Sequence, residues 1–82
     1  MTREEIVQLL KTEIGKESGL PIQEIDNHAP FRALKLDSIS SVFVLDAVST
    51  QLGVELNPLF FWDYPTIDLL AGHILSLMHH DT

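Results

Sequence analysis

Ile6, Leu9, Leu10 and Ile14 recur at the three- and four-residue steps of one helix face, and Val7 widens the stripe they make. Ile67, Leu70, Ala71, Ile74, Leu77 and Met78 repeat the pattern near the other end of the chain. Each stripe starts behind a cap. Thr2 and Glu5 have capping-box spacing, and Glu4 and Glu5 add negative charge where a helix dipole favours it. Thr66 precedes the last stripe, with Asp68 in its first turn. Gly15 and Gly19 bracket the end of the first helix and Pro21 forbids its continuation, so it is expected over about residues 2–17.

Between these helices lies a third apolar run, Ser38 to about Leu52, closed by Gly53 in the position of a helix stop. Asp37 or Ser38 can serve as its N-cap. At about 100° per residue, Ser41, Val44, Leu45, Val48 and Leu52 fall on one face. Ile39, Val42, Phe43 and Ala47 fall on another, with Asp46 and Thr50 among them. A helix in so short a chain cannot be surrounded on all sides. The first face is therefore expected in the core and the second, partly exposed, at a partner, the alternative being that the long loop covers it.

Two segments complete the chain. Residues 18–37 form a long connection with turn-formers at Pro21, Asp26-Asn27 and Pro30. Its scattered apolar residues, Leu20, Ile25, Phe31, Leu34 and Leu36, predict that it is stapled across the core, with a helical turn at Ile22 to Ile25 or Phe31 to Leu34. Asn57-Pro58 reads as N-cap and first residue of a short helix, which Tyr64-Pro65 ends. Leu59, Phe60, Phe61 and Trp62 cannot all point inward from it. The predicted fold is all-α: a small four-helix bundle of three main helices and one short one, with a long loop between the first two.

Composition bounds what such a bundle can do. A chain of 82 residues is one domain, residues 1–82, and buries roughly 60% of its unfolded surface. With no cysteine to cross-link it, the fold rests on its 45% hydrophobic content. Five basic against twelve acidic residues, a net charge of −7, argue against nucleic acid and anionic membranes. No apolar run approaches the ~20 residues that span a bilayer. The charged start at Met1-Thr2-Arg3-Glu4-Glu5 is no signal peptide, so a cytoplasmic location is expected.

Catalysis and metal binding find little support. Ser38 could pair on paper with His28 or His73, yet no Gly-x-Ser-x-Gly elbow gathers a triad. His79 and His80 are helix neighbours that point apart, and His73 and His80 lie two turns apart without a carboxylate pair, so no metal site is expected. Ser38 itself is either a plain capping serine or a hydroxyl that carries a phosphate group. Helix amides and the dipole favour an anion there, while Asp37 opposes it by like charge.

At Leu34-Lys35-Leu36-Asp37-Ser38-Ile39 the chain resembles an acyl carrier protein, the family whose Asp-Ser-Leu or Asp-Ser-Ile serine bears 4′-phosphopantetheine. The resemblance extends to the Ile25-Asp26 and Phe31 spacing upstream. It extends also to Leu56 through Ile67, where Trp62-Asp63-Tyr64-Pro65-Thr66 is similar to the Phe-Asp-Tyr-Pro-Thr string of polyketide synthase carrier domains, and to Leu70-Ala71-Gly72-His73-Ile74. It covers nearly the whole chain. It implies a covalent 4′-phosphopantetheine on Ser38, taken from coenzyme A by a phosphopantetheinyl transferase, with Asp37 and Lys35 beside it. The thiol of that arm would carry acyl chains as thioesters to the ketosynthase, acyltransferase and modifying enzymes of a polyketide synthase. The protein itself, a monomer, would catalyse nothing.

The resemblance also implies a docking face at Ile39, Val42, Phe43, Asp46, Ala47 and Thr50, the set that the helical wheel separates from the core. Two departures stand out. Lys35 replaces the usual glycine, which puts a cation and a less permissive backbone beside the site. Phe43, Ser49 and Thr50 occupy positions where acids are usual, so docking is expected to be more apolar and less salt-sensitive. Alternatives are a carrier of the fatty-acid type and a helical interaction module whose serine is only a cap. A peptidyl carrier is disfavoured because Leu36-Asp37-Ser38 stands where Gly-Gly-His/Asp-Ser is usual.

Overall fold

The computed structural model describes residues 1–79. The part of the histidine pair that falls on His80 lies outside the described residues. The order of elements is α1 (Arg3–Ser18), two 3-10 turns (Ile22–Glu24 and Phe31–Leu34), α2 (Ser38–Leu52), α3 (Phe60–Asp63) and α4 (Ile67–Met78). Both helical turns anticipated as alternatives in the long connection are present. No helix among the described residues is long and apolar enough to cross a membrane.

α1 is the centre of the bundle and packs against both α2 and α4. Its capping box forms in full: Thr2 Oγ1 accepts from the Glu5 amide at 3.2 Å, and Glu5 Oε1 accepts from the Thr2 amide at 2.8 Å. Ile6, Leu10 and Ile14 are fully buried. Because α1 faces two neighbours, its buried arc is broader than a single stripe. Val7 lies in the core and Leu9 is only half-buried. The arc even takes in Glu13, whose Oε2 accepts from Lys16 Nζ at 3.2 Å and Gln51 Nε2 at 3.1 Å. Those two donors offset the cost of desolvating the carboxylate.

α2 divides as its sequence predicts. Val44, Leu45 and Val48 are buried, and Leu52 packs against the core from a half-buried position. α4 buries Ile67, Leu70, Ala71 and Ile74, with Leu77 and Met78 half-buried. Thr66 Oγ1 caps α4 by accepting from the Leu69 amide at 3.2 Å.

The short helix departs from its expected start. Asn57 and Pro58 precede it rather than open it, and α3 spans only Phe60–Asp63. The reason is local. Asn57 Oδ1 accepts from the Leu59 amide at 2.9 Å and its carbonyl accepts from the Phe60 amide at 2.9 Å, so Asn57 closes a turn that feeds the helix.

The long connection is fastened at three points. Ile25, Phe31 and Leu34 are buried, while Leu20 and Leu36 pack against the core at its margin. In a 3-10 turn residues three apart eclipse, so Phe31 and Leu34 point inward together. The Phe31 amide donates to the Pro65 carbonyl at 2.9 Å, and the Asp68 amide donates to the Asn27 carbonyl at 3.0 Å. The ring of Phe31 meets that of Phe61 edge-on, centroids 4.3 Å apart. The loop is thereby joined to the corner between α3 and α4.

Immediately after the second 3-10 turn the backbone reverses through Lys35, at φ 60° and ψ 33°. It is the one non-glycine residue with positive φ among those described. The left-handed region disfavours a residue with a Cβ, and glycine enters it freely. Lys35→Gly is expected to raise unfolding stability by about 0.5–1 kcal/mol, after the greater chain entropy of glycine is offset. Chemical denaturation of both proteins checks this, and a loss of stability in the variant would show that the lysine side chain contributes more than its backbone costs.

Candidate functional site

The turn at Lys35 delivers Leu36, Asp37 and Ser38 to the start of α2. Leu36 is half-buried, which anchors the approach, and Asp37 and Ser38 are exposed. Asp37, not Ser38, is the N-cap: its Oδ1 accepts from the Ser40 amide at 2.7 Å, and its carbonyl accepts from the Ser41 amide at 3.0 Å and the Ser41 hydroxyl at 2.8 Å. With the capping taken by its neighbour, Ser38 is left with an exposed hydroxyl that forms no hydrogen bond among the described residues. A serine that only capped a helix would have its oxygen on an amide two or three residues on. This one is available for a bond to something else.

The electrostatics of the junction follow from that division. The Ser40 amide, by its hydrogen bond, holds the Asp37 carboxyl below the ordinary aspartate range. The cap thus sets a negative charge on the first turn of α2 at neutral pH. The Ser38 amide makes no hydrogen bond of its own among the described residues, so the helix end retains a donor for an anion on Ser38. Lys35 is exposed. The residues present therefore fit a phosphate ester on Ser38: a free hydroxyl and a free amide, with the Asp37 carboxylate engaged by its capping bond.

Ser38 also lines a groove of about 530 Å³. One wall comes from the loop, with Pro30, Phe31, Arg32 and Leu36; Ser41 and Val42 of α2 form the floor. Pro58, Leu59, Phe61 and Trp62 form the opposite wall. Of the four large residues Leu59 to Trp62, Phe60 and Phe61 pack on the core, whereas Leu59 and Trp62 are exposed, Trp62 at 82%. Phe60 thus closes the bundle, Leu59 and Trp62 flank Ser38, and Phe61 does both.

The outer face of α2 is not covered by the loop. Ile39, Val42 and Phe43 are 66%, 45% and 57% exposed, Asp46 and Thr50 are exposed, and Ala47 is half-buried. With Leu59 and Trp62 across the groove they make an apolar surface around Ser38, larger than single scattered side chains.

His73 lies elsewhere. Its ring stacks on Tyr64, centroids 4.2 Å apart, and meets Phe60 edge-on at 4.7 Å, so it fastens α3 to α4 rather than facing Ser38. The His28 amide donates to Asp26 Oδ1 at 2.9 Å within the loop. Among the described residues no group of three His, Cys, Asp or Glu is placed to hold a metal ion. The sequence reading missed the groove and the position of Arg32 on its wall. Its signal was the alternation of Phe31 and Leu34, which face inward, with Arg32, which cannot.

Comparison with known proteins agrees with this architecture. The family described as the phosphopantetheine attachment site matches residues 8–74. A non-reducing polyketide synthase of Cladonia grayi is 36% identical over 62 residues, 76% of this chain and 3% of that protein. A polyketide synthase of Bacillus subtilis is 31% identical over 71 residues, 87% of this chain and 1% of that protein. The chain thus spans only a few hundredths of the length of these curated relatives. Among solved structures, a free-standing peptidyl carrier protein from a secondary metabolic pathway of Acinetobacter baumannii superposes with a TM-score of 0.86 at 31% identity, covering 90% of this chain and 92% of that one. The HMG-ACPI domain from the CurA module of Lyngbya majuscula gives the same TM-score at 29% identity, covering 99% and 83%. Peptidyl and acyl carriers share this fold, so the match to polyketide synthases rests on sequence.

Asp37 gives the site a pH signature. A folded-state pKa below the ordinary value means that the cap contributes stability above the ordinary aspartate range and loses it as pH falls through the depressed value. The Ser40 amide resonance, followed by NMR from neutral to acid pH, should shift with a midpoint below that of an unperturbed aspartate. A midpoint at or above the ordinary value would remove Asp37 as the cap.

Proposed function

This chain belongs to the phosphopantetheine-attachment family and is homologous to the carrier domains of polyketide synthases, and on that premise we propose that Ser38 is the residue that bears its 4′-phosphopantetheine. The observation that carries the assignment is the division of labour at the start of α2, where Asp37 caps and the Ser38 hydroxyl stays free. When attached, the group supplies a thiol that holds an acyl chain as a thioester. The chain's own residues do the rest. The first turn of α2 and Lys35 hold the phosphate, and Asp37 keeps that turn formed. The apolar surface of Ile39, Val42 and Phe43 presents the site to an enzyme.

In this reading residues 1–82 form one carrier domain that catalyses nothing. It acts by raising the effective concentration of a tethered substrate at successive active sites. Its partners are a phosphopantetheinyl transferase and the ketosynthase, acyltransferase and modifying enzymes of a polyketide synthase, in the cytoplasm. Support for the polyketide type comes from the relatives in sequence and from Trp62-Asp63-Tyr64-Pro65-Thr66 at the α3–α4 corner.

The assignment is tested by intact mass. Incubation with coenzyme A and a promiscuous transferase should add ~340 Da, the covalent group's own mass, to the native protein and nothing to Ser38→Ala. A folded native sample that gains nothing ends the carrier reading.

Docking is tested separately. The exposed part of α2 offers one acid, Asp46, against three large apolar side chains. Truncating a central apolar contact commonly costs 1 kcal/mol or more of binding, so Phe43→Ala should lower a partner enzyme's kcat/KM by about fivefold or more. Added salt should change it little. Turnover that is indifferent to Phe43→Ala but abolished by salt would assign docking to charge instead.

A further inference from the structure

α3 is four residues long, too short to hold itself together, and its rings keep it on the bundle. On the loop side Phe31 fastens Phe61. On the other side one residue of α4 meets both ends. The His73 ring stacks on Tyr64, centroids 4.2 Å apart and planes 14° from parallel, and it meets Phe60 edge-on at 4.7 Å. His73 is half-buried, and its ring makes no hydrogen bond or ion pair among the described residues. The charged and titratable groups on the elements around it are few. From α1, Arg3 lies over Gly72 and pairs with Asp68 at 2.9 Å, so its charge is matched. α3 brings the Tyr64 phenol, which is in the stack, and Asp63, which is exposed. The loop meets the start of α4 at Asn27, between Asp26 and His28. α4 itself adds Asp68 and His79. The sequence holds no lysine or arginine after Lys35, so within α2, α3 and α4 histidine is the one residue type able to become positive.

We propose that His73 is a pH-sensitive latch on α3: its imidazolium grips the α3 rings more firmly than its neutral imidazole does. A cation on the face of a tyrosine ring is drawn to the ring's negative face, an attraction that the neutral ring lacks. The net charge of −7 favours the positive form. Imidazole is also the side chain that changes charge in the neutral range, so the latch works where a cell's pH varies. The effect reaches Ser38 through α3. Leu59, Phe61 and Trp62, which wall the groove beside that serine, belong to or adjoin the helix whose ends His73 holds. Protonation steadies this wall and deprotonation loosens it. The latch concerns the wall alone and stands whether or not Ser38 carries a group.

Amide hydrogen exchange, corrected for its intrinsic dependence on pH, reads the latch. The Tyr64 amide, which donates to the Phe60 carbonyl at 2.8 Å, reports α3, and amides within α1 serve as reference. Relative to α1, protection at Tyr64 should fall about two- to fivefold as pH rises from about 5 to 8, the scale of a partly exposed contact between a cation and a ring. Its midpoint should coincide with that of the His73 ring resonance followed by NMR. His73→Phe keeps a ring and removes the charge, and its Tyr64 protection should not change with pH. His28→Gln and His79→Gln should behave as the native protein does. Protection that is flat in the native protein, that follows His28 or His79, or that falls equally in His73→Phe overturns the proposal. Should His73→Phe not fold, the native titration decides, because the coincidence of the two midpoints is read without a variant. The mass test of Ser38 is independent of all these outcomes.

Discussion

One backbone hydrogen bond holds the functional end of this bundle together: the Phe31 amide to the Pro65 carbonyl, 2.9 Å. It joins a connection of nearly twenty residues to the corner between α3 and α4, with the edge contact of Phe31 on Phe61 beside it. A long loop in a small domain ordinarily costs order, and this one is ordered by burying Ile25, Phe31 and Leu34. Everything around Ser38 inherits its position from that junction. The turn at Lys35, the cap at Asp37 and the wall carrying Arg32 all lie within seven residues of Phe31.

The helix that begins at Ser38 is asked to do two things, and its sequence separates them by angle. Val44, Leu45 and Val48 are held in the core, while Ile39, Val42 and Phe43 remain in solvent. Retaining three large apolar residues on the surface of so small a protein works against solubility, and the acidic composition offsets it. The start of the helix shows a similar separation. Capping and attachment are both natural tasks for a serine at this position, and they compete for the same oxygen. Giving the cap to Asp37 frees the serine at the cost of a like charge, which the Ser40 amide binds.

Much of this is legible in the sequence alone, for identifiable reasons. Helix caps such as Thr2 and Thr66 and stops such as Gly19 and Gly53 depend on local chemistry, and they lie where that chemistry puts them. The two faces of α2 follow from helical geometry alone. Features that depend on which element meets which were not legible. Glu13 is buried because Gln51, thirty-eight residues away, supplies a donor. Val7 displaces Leu9 from the core because α1 has two neighbours rather than one. The groove needs the loop, α2 and α3 to meet, so no single segment encodes it. The delayed start of α3 shows the limit of cap rules, because Asn57 satisfies the same amides by closing a turn.

Trp62 has a consequence of an optical kind. It is the chain's single tryptophan, it is 82% exposed, and it stands on the wall of the groove that holds Ser38. Its ultraviolet emission therefore reports one location with no background from a second indole. An indole moved from water into contact with another molecule emits at shorter wavelength. The protein thus carries its own unlabelled optical probe of whatever comes to rest beside Ser38.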